Sequence, residues 1–309
     1  MKVVFLGTPE FAVPTLERIL EAGHQVPEVI TQPDRPQGRK QEMIPSPVKA
    51  AAIRRGIPVY QPERIRRPEA LEHLRALAPD VMVVVGYGQI IPQSVIDLAP
   101  LGIINVHASV LPELRGAAPI QWAVARGYRT TGVSTMCIDS GLDTGDVVDT
   151  WETAIGPEET APELSARLAP AGADLLVKTL ASLAAGTARR IPQDNSLATL
   201  APILKKEDGR IDWHSPAEKI HNHIRGLQPW PGAHTIFRGQ SFHIWRARMT
   251  DRRSPLAPGA LIREHGVYAV GGDGAALELL EVQMEGRKRM AADIFANGHR
   301  IEDAEQLGM

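Results

Sequence analysis

Short apolar runs alternate with helical stretches through the first half of this 309-residue sequence. Continuous apolar runs are typical of strands that are buried on both faces of a sheet, and such sheets are mostly parallel. Strands that alternate with helices therefore predict a Rossmann-like α/β fold, in which a mostly parallel sheet carries helices on both faces. The predicted strands are 2–6, 28–31, 81–85, 102–106 and 132–138, and the predicted helices are 10–22, 47–55, 69–77 and 160–183.

Capping residues mark the start of two predicted helices. Ser46 precedes Pro47, and a serine N-cap followed by proline at the first helical position favours a helix start. Thr160 and Glu163 have the spacing of a capping box. Pro170 falls inside the second of these helices, so we expect a kink there or a division into two helices.

The pattern changes after residue 184. Residues 185–202 carry glycine, proline and short polar side chains with little periodicity, which predicts a linker. Beyond the linker, short runs rich in β-branched and aromatic residues alternate with Gly and Pro turns, at 235–237, 242–247, 267–270 and 276–282. Such runs predict a small C-terminal all-β barrel or sandwich, and of the two we expect an OB-like β-barrel. The expected domains are 1–184 and 203–309, with 185–202 between them.

Charge and cysteine content narrow the class of protein. A net charge of −2 argues against an obvious nucleic-acid binder, although residues 203–300 carry 15 Lys+Arg against 11 Asp+Glu. The single cysteine, Cys137, rules out an internal disulfide and fits a reducing compartment. The apolar run at 3–6 is too short for a signal peptide or a membrane span. We therefore expect a cytoplasmic protein that contacts no membrane.

Polar residues that could take part in catalysis lie at the carboxyl end of one of the predicted strands. Asn105 and His107 end the strand at 102–106, and residues i and i+2 of a strand point to the same face. Asp143 lies in a glycine-flanked loop and could hold the imidazole. No serine or cysteine occupies the place of a nucleophile, which suits an enzyme whose substrate itself attacks a carbonyl while the protein holds the oxyanion and moves a proton. Taken alone, the same residues also fit a turn.

Several motifs together resemble one family. Asn105, His107 and the Leu-Asp-x-Gly loop around Asp143 resemble the catalytic set of the formyltransferases that use 10-formyltetrahydrofolate. In its full length and order of motifs the chain is similar to the methionyl-tRNA formyltransferase branch of that family. The resemblance implies catalytic roles for Asn105, His107 and Asp143. It also implies 10-formyltetrahydrofolate as the formyl-donor co-substrate and no metal.

The resemblance extends to the folate pocket. The turn after His107 resembles the family's Ser-Leu-Leu-Pro motif, with Val110 in the place of the first leucine. The segment GYGQIIP at 86–92 resembles the wall of that pocket. The residues implied in folate binding are Ser109, Val110, Leu111, Pro112, Gly86, Tyr87, Gln89 and Ile91.

Further segments resemble the parts of the family that bind initiator methionyl-tRNA. The segment TQPDRPQGRKQEMIPSPVK at 31–49 resembles a loop that contacts the acceptor end, and three segments after residue 204 resemble a small tRNA-binding domain. The implied tRNA-binding residues are Arg39, Lys40, Lys205, Lys206, Arg287, Lys288 and Arg289. We expect a monomer whose partners are this tRNA and the folate.

The implied reaction is attack by the methionyl α-amine on the formyl carbon of the folate. The Asn105 amide would stabilise the oxyanion, His107 would pass a proton to the leaving folate nitrogen, and Asp143 would orient the imidazole or an ordered water. The proton acceptor for the amine remains open between His107, Asp143 and water.

Three other functions fit parts of the same pattern. A formyltransferase that acts on a nucleotide-linked amino sugar would share the three polar residues, but the 31–49 loop favours the tRNA enzyme. A hydrolase of formyltetrahydrofolate should lack a basic C-terminal module. A non-catalytic RNA-binding protein on an inactivated enzyme fold would have no need of all three polar residues.

Overall fold

The computed structural model describes residues 1–37 and 42–308, which fall into two units. The first unit comprises the described residues of Met1–Ala117, Thr131–Thr153 and Ser165–Ala201. The second comprises Ala118–Thr130, Ala154–Leu164 and the chain from Pro202 onward.

A seven-stranded sheet forms the first unit, and a two-stranded hairpin stands beside it. The strands are β1 (Val3–Gly7), β2 (Val29–Ile30), β3 (Arg35–Gln37), β4 (Glu42–Ile44), β5 (Val59–Tyr60), β6 (Val81–Val85), β7 (Ile103–His107), β8 (Thr130–Cys137) and β9 (Val147–Ala154). The order is β5-β2-β1-β6-β7-β8-β9, while β3 pairs only with β4. The neighbouring strands β5, β2, β1, β6 and β7 pair parallel, and β8 pairs antiparallel with β7. The predicted mostly parallel α/β sheet is confirmed.

Helices connect these strands, with one later helix completing the series. They are α1 (Val13–Glu21), α2 (Pro47–Arg54), α3 (Pro68–Leu77), α4 (Gln93–Ile96), α5 (Pro119–Ala125) and α6 (Ala161–Ala184). Ser46 caps α2 as predicted, since its side chain accepts from the Lys49 N–H at 3.1 Å. Thr160 and Glu163 form the predicted capping box before α6. Of the two alternatives expected at Pro170, the division into two helices is wrong, because α6 continues through it with Leu164, Leu168 and Leu176 fully buried on either side. The kink stays a prediction.

The central strands bury every residue. All five positions of β1, β6 and β7 are buried, which explains why their sequences are continuously apolar until the last residues of β7. Parallel strands end at the same edge of a sheet, and open α/β sheets bind ligands outside those carboxyl ends. The ends of β6 and β7 therefore bring segments 86–91 and 105–112 to one edge.

The second unit is built on an antiparallel sheet. Its elements are α7 (Ala217–Gly226), β10 (His234–Phe237), β11 (Gln240–Arg253), β12 (Leu261–Arg263), β13 (Val267–Val270), β14 (Ala275–Met284), β15 (Met290–Ala291) and α8 (Ala292–His299). The pairing runs β10-β11-β14-β13-β12, and β15 adds to β14. The predicted all-β character is confirmed. Within the described residues no pairing joins β10 to β12, so closure into an OB-like barrel stays a prediction.

Two segments that precede the predicted linker belong to the second unit. Helix α5 packs against α7, where a Cβ added to Gly226 would lie 2.4 Å from the Ala125 nitrogen. Buried Arg225 donates to the carbonyl oxygens of Gly156 and Glu159 at 3.2 and 2.7 Å, which holds residues 154–164 there. The linear boundaries at 184 and 202 stay predictions, and the structure assigns residues 165–201 to the first unit.

None of the helices within the described ranges is both long and apolar enough to cross a membrane.

Phe295 is the best probe of the second unit's core. Its ring meets Phe242 at 5.0 Å and Phe237 at 5.9 Å between centroids, and only 2% of it is exposed. We expect Phe295→Ala to lower the free energy of unfolding of this unit by roughly 3–5 kcal/mol, through lost burial and the cavity left behind. The neighbouring Ile294, 61% exposed, offers a control, and Ile294→Ala should cost less than about 0.5 kcal/mol. Urea denaturation followed by tryptophan fluorescence measures both, and equal costs would contradict this account of the core.

Candidate active site

Strand β7 places two of the predicted catalytic residues on one face. Asn105 and His107 are the third and fifth of its five residues, and they are 8% and 5% exposed. A buried amide and a buried imidazole need partners inside the protein. The Asn105 amide donates to the carboxylate of Asp143 at 3.4 Å, and the His107 ring lies beside the same carboxylate, where the sequence analysis expected only the imidazole.

The environment of His107 distinguishes its two ring nitrogens. Nε2 lies 3.0 Å from the carbonyl oxygen of Leu114. A carbonyl oxygen only accepts hydrogen bonds, so Nε2 must carry a hydrogen. Nδ1 is then the nitrogen that can gain or lose a proton, and it faces Asp143 Oδ2 at 3.7 Å. That distance is longer than a hydrogen bond, so the two groups are adjacent without being joined.

Asp143 is held by the protein on both carboxylate oxygens. Oδ2 accepts from the Gly116 N–H at 2.9 Å, and Oδ1 accepts from Asn105 Nδ2 at 3.4 Å. Its backbone has φ of +51°, in the left-handed region that few residues other than glycine adopt. Gly145, two residues later, allows a close approach, because an added Cβ would lie 1.9 Å from the Cys137 carbonyl oxygen.

The two backbone groups that hold this site were missed by the sequence analysis. Leu114 contributes its carbonyl oxygen to His107 and Gly116 contributes its N–H to Asp143. Every residue has a carbonyl, and every residue except proline has an N–H, so neither group leaves a signal in the side-chain pattern. The sequence signal for this turn was the glycine at 116, and the structure shows that its φ is +119°.

The turn after His107 is fastened to β8. Leu111 donates its N–H to Ser134 Oγ at 3.1 Å, and that hydroxyl donates to the Ser109 carbonyl at 2.8 Å. Ser109 Oγ in turn donates to the Glu113 carbonyl at 2.6 Å, and the Leu111–Pro112 peptide is cis. Ser109, Leu111 and Pro112 thus shape the turn, while Val110 stays partly exposed.

The segment after β6 has buried supports and one exposed side chain. Tyr87 is 1% exposed, and burial raises the pKa of its hydroxyl above the ordinary value. Gln89 accepts from the Ile65 N–H at 2.7 Å and donates to the carbonyls of residues 62 and 63. Gly86 has a positive φ, and Ile91 is buried. Ile90, which the sequence analysis left out, is 91% exposed and is the apolar surface of this segment.

A polar cluster holds the base of the β3–β4 hairpin. Lys49 Nζ donates to Asp34 Oδ2 and to Gln61 Oε1, and Gln61 Nε2 donates to Asp34 Oδ1 at 2.8 Å. Gln32, two residues before Asp34, donates from Nε2 to the Tyr87 carbonyl at 3.2 Å. The hairpin is therefore tied to the segment after β6. The two predicted tRNA-binding residues of this loop, 39 and 40, lie outside the described residues.

The predicted basic residues of the second unit lie on its surface. Lys205, Lys206, Arg287 and Lys288 are all exposed. Arg289 is exposed but engaged: its guanidinium lies 4.1 Å from the Trp245 ring centroid and Nη1 lies 3.2 Å from a Glu281 carboxylate oxygen. The Trp245 ring also stacks on His243, with centroids 5.4 Å apart.

The tryptophans of the second unit differ in burial. Trp213 is 5% exposed in the core of the second unit and donates from Nε1 to Thr235 Oγ1 at 3.0 Å. Trp230, by contrast, is 53% exposed.

Within the part of the chain that the structure describes, no group of three His, Cys, Asp or Glu side chains could hold a metal ion. Cys137 is partly buried, and burial raises the pKa of its thiol, so the reactive thiolate form is disfavoured.

Comparison with known proteins identifies the class to which this fold and site belong. The formyl transferase family matches residues 1–180, and its C-terminal domain matches residues 203–300. The chain belongs to the formyl transferase family.

Within that family, two relatives that match over their full length are methionyl-tRNA formyltransferases. The one from Solibacter usitatus is 63% identical over 308 residues, which span 100% of this chain and 99% of the relative. The one from Koribacter versatilis is 56% identical over 310 residues, with the same coverage of 100% and 99%. The predicted family resemblance is confirmed.

A solved structure shares the fold. The N-formyltransferase from Helicobacter canadensis, in complex with folinic acid and dTDP-3-aminofucose, has a TM-score of 0.70. It is 20% identical, and the match covers 92% of this chain and 99% of that protein. At this identity the likeness concerns the fold alone.

The cluster at the hairpin base predicts a measurable titration. The hydrogen bond from Lys49, followed by that from Gln61, lowers the pKa of Asp34 below its ordinary value. The contribution of this carboxylate to the free energy of unfolding is therefore complete above about pH 4 and is lost as the pH falls through the lower, folded pKa. Lys49→Met should raise the pKa of Asp34 more than Gln61→Leu does. Carbon-13 NMR titration of the carboxyl groups measures this, and an unmoved pKa in Lys49→Met would contradict the assignment.

Proposed function

We propose that this chain transfers the formyl group of 10-formyltetrahydrofolate to the α-amine of methionyl initiator tRNA. The observation that carries the proposal is the meeting of Asn105, His107 and Asp143 at the carboxyl edge of the sheet. Its full-length likeness to methionyl-tRNA formyltransferases supports the acceptor. The role in translation initiation and the cytoplasmic location follow from that acceptor, and we propose that the enzyme acts as a monomer.

A folate donor fits the surfaces around this edge. The solved relative holds folinic acid, a folate. In this chain Ile90 is 91% exposed and Leu142 is 62% exposed, on the two loops that follow β6 and β8. Exposed apolar side chains beside a polar site suit a flat ring system that carries polar groups. When bound, the donor supplies the electrophilic formyl carbon, and the proposed chemistry requires no metal.

Asn105 is proposed to stabilise the oxygen that becomes negative as the amine adds to the formyl carbon. Its side-chain amide has two N–H donors, and only one of them points at Asp143. The other is available to the oxyanion. The amide is buried and already oriented by a hydrogen bond, so it needs little reorganisation during the reaction.

His107 and Asp143 are proposed to manage the proton. With Nε2 bound to the Leu114 carbonyl, the proton moves on and off Nδ1. Asp143 Oδ2, 3.7 Å away, can accept a hydrogen bond from a protonated Nδ1 after a small approach. His107 Nδ1, assisted by Asp143, can thus take a proton from the amine and then pass a proton to the leaving folate nitrogen.

The tRNA is proposed to contact basic residues in both units. Arg39 and Lys40 stand in the 31–49 loop, whose base is held by the Lys49 cluster. The second unit adds exposed positive charge at Lys205, Lys206, Arg287, Lys288 and Arg289. A handful of phosphate contacts on a chain of net charge −2 makes binding sensitive to salt.

Substitution of the buried residues tests the chemistry. We expect Asn105→Ala to lower kcat about 100- to 1000-fold, the usual loss for one oxyanion donor. His107→Ala should lower kcat about 100- to 10,000-fold, through loss of proton transfer. The exposed His214 provides the control, and His214→Ala should keep normal kcat. Steady-state formyl transfer measures all three, and near-normal turnover in His107→Ala would rule out this mechanism.

Offering several acceptors tests the substrate. Labelled formyl from 10-formyltetrahydrofolate should pass to initiator methionyl-tRNA at least tenfold faster than to elongator methionyl-tRNA or an amino-sugar nucleotide. The proposed reason is that the 31–49 loop reads the acceptor end of the initiator tRNA, and that the exposed lysines and arginines of the second unit contact more phosphates than a sugar nucleotide carries. Transfer to the sugar alone would keep the site and replace the acceptor. Release of formate without transfer to any acceptor would indicate a hydrolase.

A further inference from the structure

We propose that Gln193 is a positioning residue for Asp143, and that buried Arg115 orients Gln193 for this purpose. The proposal rests on the function proposed above. Gln193 belongs to residues 191–201, which the sequence predicts as part of a linker and which we call the strap. In the structure the strap runs along the candidate site within the first unit.

The start of the strap is paired with the end of the Asp143 loop. Val147 and Ile191 exchange two backbone hydrogen bonds of 2.9 and 2.8 Å in an antiparallel bridge. Two residues further, an antiparallel register brings Gln193 opposite Gly145. Its side-chain Nε2 donates to the carbonyl oxygens of Asp143 at 2.9 Å and Gly145 at 2.7 Å. One amide therefore uses both of its N–H groups to hold the loop.

Arg115 decides which way this amide points. Its Nε and Nη2 donate to Gln193 Oε1 at 3.0 and 2.7 Å, and Nη2 also donates to Asn195 Oδ1 at 2.9 Å. A guanidinium only donates, so the amide oxygen must face it and the amide nitrogen must face the loop. Arg115 is 6% exposed, so its burial requires these acceptors.

Thr199, near the end of the strap, binds the stretch of backbone that contacts His107 and Asp143. Arg115 N–H donates to the Thr199 carbonyl at 2.9 Å, and Leu114 N–H donates to Thr199 Oγ1 at 2.8 Å. Leu114 is the residue whose carbonyl binds His107, and Gly116 is the residue whose N–H binds Asp143. The strap thus supports both the acceptor for the imidazole and the carboxylate itself.

Asp143 needs such support for two reasons. Its φ of +51° is a conformation that a non-glycine residue keeps only when its surroundings enforce it. Its carboxylate lies 3.7 Å from Nδ1, where a further displacement would remove it from reach. A misplacement of about 1 Å in a catalytic geometry can cost on the order of 100-fold in rate.

Gln193 variants test the proposal in the full-length enzyme. Gln193→Leu removes both functions of the amide. Gln193→Glu keeps an acceptor for Arg115 but turns a second oxygen towards the two carbonyls. We expect both to lower kcat about 10- to 100-fold while the KM values for tRNA and folate change less than about threefold. Hydrogen exchange of the peptide 139–146 should become faster in both variants.

Asn195→Ala is the matched control, because Asn195 contacts the same guanidinium without a hydrogen bond to the Asp143 loop among the described contacts. It should keep kcat within about twofold and normal exchange at 139–146. A kcat within twofold of wild type in Gln193→Glu would overturn the proposal, as would an equal loss in Asn195→Ala. Gln193→Glu decides the matter if Gln193→Leu does not fold. Absence of formyl transfer in the wild type would instead refute the proposed function, and unchanged exchange in Gln193→Glu would then overturn this inference separately.

Discussion

The hydrogen bond between His107 Nε2 and the Leu114 carbonyl is the interaction on which the site depends. It assigns a hydrogen to Nε2 and leaves Nδ1, facing Asp143, as the atom at which a proton can move. Two residues later in the chain, the Gly116 N–H binds the Asp143 carboxylate at 2.9 Å. A three-residue stretch of backbone therefore determines the roles of both side chains. Neither contact uses a side chain of that stretch, so both depend on where its backbone lies, and the φ of +119° at position 116 favours the glycine found there.

Much of the fold could be predicted from the sequence, since burial on both faces leaves a continuous apolar run. Strand β6 was predicted at its observed bounds, and β1 and β7 within one residue. The hairpin β3–β4, the strand β5 and the strand β9 were not predicted. The first three strands are short and carry no continuous apolar run, and β9 has as many polar as apolar residues, most of them partly or fully exposed. The membership of α5 in the second unit was also missed. It depends on close packing between Gly226 and Ala125, and residues 154–164 are held in the same unit by the hydrogen bonds of Arg225, so in both cases the partners lie far away in sequence.

In the candidate site, too, local sequence patterns could be predicted and contacts between distant residues could not. Asn105 and His107 could be predicted as neighbours because alternate residues of a strand share a face, and Asp143 followed from the family resemblance. Their meeting is observed, while their catalytic roles stay predictions. Arg115 and Gln193 could not be found in this way. Their hydrogen bonds join positions 78 residues apart, and the segment around Gln193 has the composition of a linker. A linker composition indicates only that no regular helix or strand forms, and the strap shows that such a segment can still be held by many hydrogen bonds.

An enzyme without its own nucleophile depends on how accurately it places other groups. Here no atom of the protein is proposed to form a covalent bond with the substrates, so the rate must come from orientation and electrostatic stabilisation. Both require side chains that do not rearrange during the reaction, and the site meets this requirement with burial and fixed backbone partners. The strained backbone of Asp143 is consistent with the same demand, since such a conformation persists only where its neighbours determine it. On this proposal, the hydrogen bonds that join Gln193 to residues 115, 143 and 145 belong to the support of the active site, although the sequence around Gln193 has the composition of a linker.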